Sequence, residues 1–83
     1  MIIETLDEPI EVRADFTRGL IRPIAFKRNG QLWRIMKINA RWEDRQDCSK
    51  RFFFSIEAGG NTFKIHLDTR DMSWRLDCVY LDG

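Results

Sequence analysis

Few side chains in this chain have reactive chemistry to offer. There is one histidine, His66, and there are two cysteines, Cys48 and Cys78. Acids group at Glu43, Asp44 and Asp47, and again at Asp68 and Asp71. A nucleophilic thiol needs a base beside it; for Cys48 that base would be His66, and nothing in the spacing brings the two together. His66 falls between Ile65 and Leu67, on what alternation makes a solvent face, where a lone imidazole reads as surface. Cys78 lies among apolar residues and reads as core. Two cysteines thirty positions apart match no zinc spacing. The stretch Glu43–Lys50 lacks the regular oxygen ligands and the turn glycine of a calcium loop. No phosphate-binding loop, dinucleotide fingerprint, HExxH helix or nucleophile elbow is present, and Gly59–Gly60 marks a turn with no helix after it. Asp68 and Asp71 flank a further turn and suit capping it. The expectation is a protein that is not an enzyme and has no cofactor or metal.

Binding chemistry is better represented. Net charge is +1 over 83 residues, but residues 1–11 carry −4 and residues 12–41 carry +7. The basic block holds Arg13, Arg18, Arg22, Lys27, Arg28, Arg34, Lys37 and Arg41 against Asp15 alone. Such a block is a basic stripe if its side chains leave one face, and otherwise a solvated surface balanced by the acidic start. In the first case Lys27, Arg34, Lys37 and Arg41 contact phosphates. Phe53 is forced opposite Phe52 and Phe54, and an aromatic on the outer face of a basic sheet is what single-strand nucleic-acid binders use to stack bases. The same ring equally suits a protein-binding patch or a second layer of sheet.

The elements that must position these groups read as strands. Ile10–Phe16 places Ile10, Val12, Ala14 and Phe16 on one face, and Thr17–Gly19 turns the chain. A second strand runs from about Leu20 to Lys27, with Pro23 placing that end at a sheet edge or at the strand's start and Ile24 and Phe26 pointing together. Asn29–Gly30 is a strong hairpin signal, because a type I′ turn requires two positive-φ residues. The third strand has a parity conflict. Trp33 and Ile35 are odd, whereas Ile38, Ala40 and Trp42 are even. A β-bulge near Met36–Lys37 keeps both sets inward; the alternative is a central strand buried on both faces, which Arg34, Lys37 and Arg41 speak against. That bulge would align Arg34, Lys37, Asn39 and Arg41 outward, beside Lys27. Glu43–Lys50 reads as a loop. Phe52–Ile56 and Phe63–Leu67 alternate about the Ala58–Asn61 turn, and Trp74, Leu76 and Cys78 begin the last strand. Trp33, Trp42 and Trp74 are assigned to the core, since a chain this short needs large rings to fill its centre.

The set Glu8–Val12, Gly19–Phe26, Trp33–Ile35 with Ile38 and Trp42, Arg51–Phe54, and Trp74–Leu76 with Val79–Tyr80 resembles a bacterial domain family of unknown function. Some of its members are encoded near Y-family translesion-polymerase cassettes. The resemblance spans nearly the whole chain and implies a bacterial β module; it supplies no site residues.

The reading is therefore one all-β domain over residues 1–83, an antiparallel and strongly curved meander of five to six strands or a small SH3-like barrel. The function expected is non-catalytic binding, of nucleic acid through the basic strand face or, alternatively, of a protein partner or a second copy through an edge strand. No membrane or small-molecule ligand is indicated. The acidic N-terminus has no basic n-region and no apolar run spans a bilayer, so the cytoplasm is expected, with both thiols reduced.

Overall fold

The computed structural model describes residues 2–81, all of them in strands or tight turns. Six strands follow one another as β1 (Ile2–Thr17), β2 (Leu20–Arg28), β3 (Gln31–Gln46), β4 (Ser49–Ala58), β5 (Asn61–Asp68) and β6 (Ser73–Leu81). Each pairs antiparallel with the next, and β1 returns to pair with β6, so the meander closes into a barrel. Among the described residues there is no helix, hence none long and apolar enough to cross a membrane.

Turn chemistry accounts for this order. Arg18–Gly19, Asn29–Gly30 and Gly59–Gly60 each put two successive residues at positive φ, the type I′ geometry whose twist matches the flanking strands. The stretch expected to be a loop, Glu43–Lys50, is instead the tip of a hairpin turning at Asp47–Cys48. Its polarity reflects a ribbon that projects from the barrel. Cross-strand charge pairs set its register: Arg51 forms a bidentate pair with Asp44 (2.9 and 2.6 Å) and Lys50 lies 3.5 Å from Glu43. As the sequence suggests, Asp68 and Asp71 cap the last turn. Asp68 accepts from the Arg70 amide at 2.9 Å, and Asp71 accepts from the Ser73 amide and hydroxyl at 3.1 and 2.6 Å.

Bulges bend the strands and reset which side chains face inward. The expected one is present: Ile35 opposes Ala58 and Lys37 opposes Glu57, leaving Met36 extra, so Ile35 and Ile38 are half-buried while Met36 is 74% exposed. A second bulge at Asn39 was not legible in the sequence, and it reverses the parity beyond it. Arg41 therefore opposes Phe54, on the inner side, and Trp42 opposes Phe53, on the outer side. Trp42 is not core; it is 43% exposed. A bulge at Ile24 in β2 likewise takes that residue out of step with Phe26, and one at Asp77 moves Cys78 off the face of Trp74 and Leu76, though Cys78 remains buried. Phe16 is 61% exposed near the β1–β2 tip, beyond the reach of the core.

The core is a layer of Phe26, Phe54, Ile56, Ala58, Phe63, Ile65, Leu76 and Val79. Trp33 lies parallel to Phe26 at 6.0 Å and edge-on to Phe63 at 5.6 Å, while Trp74 tilts against Phe54 at 5.8 Å. These rings fill the centre that the barrel encloses.

Candidate functional site: the open seam between β2 and β3

The barrel is closed, but one wall is split. The β2–β3 ladder joins only Ala25–Arg28 to Gln31–Arg34. Past that point β2 (Leu20–Ile24) pairs with β1 alone, and β3 (Ile35–Gln46) pairs with β4 alone, among the described residues. The two bulges in β3 and the one in β2 supply the physical cause, since each turns its strand away from a neighbour. Among the described residues a single side-chain hydrogen bond bridges the gap: Arg41 donates from Nη1 to the carbonyl of Ile21 at 2.9 Å. A side-chain donor thus serves a carbonyl that an ordinary ladder would satisfy with an amide.

Two clefts flank this strap. One, of about 340 Å³, is lined by Leu20, Ile21, Trp42, Phe52 and Phe54 together with the charged Arg41 and Glu43. The other, of about 480 Å³, lies among Arg22, Lys37 and Arg41 with Pro23, Ile24 and Ile38. One end of the seam is apolar and the other basic. Arg22 also lies 3.6 Å from Asp15 across the β1–β2 hairpin, an exposed pair worth little net energy.

The outer face beside the seam carries a ladder of flat side chains. Trp42 stacks on Phe53 (5.5 Å, 6° between planes), and Phe53 meets His66 at 4.9 Å. His66 in turn donates from Nδ1 to the Asp77 carboxylate at 2.8 and 2.9 Å. Lys64 lies 5.2 Å from the Phe53 centroid and 5.9 Å from that of Trp42, and Arg51 lies 5.1 Å from Phe53, within cation–π range. Asp44, through its hydrogen bonds, holds the Arg51 guanidinium further into its charged form. The row continues to Arg75, which opposes His66 and donates to the Asp7 carboxylate and carbonyl at 3.1 and 3.0 Å.

The sequence-nominated residues therefore do not form one stripe. Lys27, Arg34 and Lys37 lie on the outer face, opposite Leu32, Ala25 and Glu57 respectively. Arg41 is separated from them by the Asn39 bulge and points to the inner side. Phe53 occupies the outer face but is only 7% exposed, because Trp42, His66, Lys64 and Arg51 cover it. His66, expected in solvent, is likewise 7% exposed under Phe53 and Asp77. Of this row, the ring available to a ligand is Trp42. Sequence reasoning missed it because the Asn39 bulge has no signature, and missed Arg51 and Lys64 because cross-strand pairing alone brings them to Phe53.

Among the described residues, no three His, Cys, Asp or Glu side chains converge as a metal site would require. Comparison with known protein families, curated proteins and solved structures finds no match to this chain.

Proposed function

We propose that this protein is a binding module that takes an extended segment of a partner protein along the open edge of β3. The observation that carries the reading is the split ladder: main-chain groups of β3 from Ile35 to Gln46 have partners on the β4 side only, among the described residues. An unpaired edge accepts a strand through main-chain hydrogen bonds, and side-chain pockets beside it select the sequence. Both kinds of pocket are at hand, apolar at Leu20, Trp42 and Phe54, basic at Arg22 and Lys37. The lone histidine is engaged with Asp77 beneath a phenyl ring, an arrangement suited to holding the outer face together. Two cysteines without a disulfide, Cys48 exposed and Cys78 buried, suit a reducing compartment such as the cytoplasm.

One observation favours a second reading, single-stranded nucleic acid. Trp42 presents a partly exposed indole backed by Phe53, with Lys64 beside it, and the wall that adjoins it carries the basic block. Titrating isotope-labelled protein with display-selected twelve-residue peptides and, separately, with oligothymidylate separates the two. Strand addition predicts amide shifts and slowed exchange along Ile35–Gln46 and Leu20–Ile24. Nucleic-acid binding predicts shifts centred on Trp42 and Lys64, with log affinity falling by roughly 0.7 per log salt for each phosphate contact. Peptides that bind without touching the β3 edge would overturn the first reading.

A further inference from the structure

Resting on strand addition at β3, the geometry points to a recognition code: we infer that the partner segment runs antiparallel to β3 and carries an aromatic residue followed, four positions later, by an acidic one. The cross-strand row Trp42–Phe53–His66 is a run of planar rings, tilted at His66 and stacked at Trp42, that ends at the open edge. A strand added there sets one residue directly opposite Trp42, with its Cβ about 5 Å away. A planar side chain at that place continues the stack and covers the exposed indole.

The second element of the code comes from Lys37. It lies on the same outer face as Trp42, with Glu57 opposite on β4, and no ion pair is formed by Lys37 among the described residues. Lys37 and Trp42 are five apart in sequence, but Asn39 is out of register, so they oppose Glu57 and Phe53, four ladder steps apart. A regular partner strand spans that distance with four residues. An even spacing keeps both side chains on one face, and a carboxylate at the Lys37 step has Arg22 in the same cleft as a further cation. The antiparallel sense follows from the barrel itself, in which every ladder is antiparallel, and from the slightly greater stability of that pairing. Entry of the segment releases Arg41 from the Ile21 carbonyl, the strap that closes the seam.

The test uses the full chain and synthetic ten-residue Thr/Val peptides bearing one Trp and one Glu. The peptide with Glu four residues after Trp should bind about tenfold tighter than its reversed-order and three-residue-spaced counterparts, as two favourable cross-strand pairs together allow. Trp42→Ala should abolish that discrimination. Lys37→Glu should reverse it in favour of a peptide with Lys in place of Glu, and this exposed substitution leaves the core untouched. Equal affinity for all spacings, with amide shifts still confined to the β3 edge, would overturn the code and leave strand addition standing. Absence of any shift at that edge would overturn both.

Discussion

Two residues show how local geometry sets energy here. Gly59 and Gly60 share one turn, with φ of 57° and 82°, yet their surroundings differ. A Cβ on Gly59 would sit 2.7 Å from Trp33 Cε3 and closer still to Cζ3, whereas one on Gly60 meets open space. Gly60→Ala should therefore cost about 1–2 kcal/mol, the left-handed penalty alone. Gly59→Ala should cost about 1–3 kcal/mol more from overpacking, because the indole is held between this turn, Phe26 and Phe63. Urea midpoints of the two variants measure the difference, and equal midpoints would mean the indole moves aside freely. Asp68 gives a pH counterpart. Hydrogen bonds from the Arg70 side chain and then its amide hold the Asp68 carboxyl down at about 2. Since the unfolded chain binds this proton near the ordinary carboxylate value of about 4, the folded state is favoured above that pH, and the advantage is lost as pH falls toward 2. Asp68→Asn should flatten that part of the acid stability profile, leaving the remainder to other carboxylates; an unchanged slope between pH 4 and 2 would refute the assignment.

At the scale of elements, the seam exists because β3 carries two bulges rather than one. The first was legible, because Trp33 and Ile35 conflict in parity with Ile38, and apolar residues cannot alternate between core and water without cost. The second was not, because Ala40 fits either face and Trp42 is as readily read as core as surface; only its pairing with Phe53 shows which. With that bulge, Arg41 swings to the seam and becomes the link between β2 and β3. Arg41→Ala should thus speed amide exchange in Leu20–Ile24 by about fivefold, the loss expected of one hydrogen bond of roughly 1 kcal/mol. Amides of β5, which is paired on both sides, should be unaffected. Uniform acceleration across all six strands would instead make Arg41 a determinant of global stability, and the seam would not be a separate element.

For the whole molecule the decisive event is closure by β1 and β6, which pairs Ile2–Ile10 with Leu81–Trp74. The class, the meander order and most hairpins were legible from turn residues and alternation. A barrel was one of the two forms expected, but the strand that closes it was not legible, since the apolar residues of Ile2–Pro9 do not alternate in sequence, Ile2 and Ile3 remain exposed, and main-chain pairing holds most of the segment. Its anchors are Leu6 against the core and the clamp of Arg75 on Asp7, where Asp7 takes a positive φ of 43° beside the Asp77 bulge. These contacts join the two ends of the chain, so they carry the largest loop-closure cost of any pairing in the fold. Deleting Ile2–Asp7 should leave β6 with a bare edge from Cys78 to Leu81, with Leu6 no longer packed against the core. A bare hydrophobic edge recruits another strand, so the truncated chain should elute as concentration-dependent oligomers in size-exclusion chromatography with light scattering, while the intact chain serves as reference at matched concentration. Circular dichroism should still report β structure, because five hairpins are untouched. A truncated chain that stays monomeric with an unchanged unfolding midpoint would show that the chain from Glu8 onward suffices alone, and that the N-terminal part of β1 is a cover rather than the stave that closes the barrel.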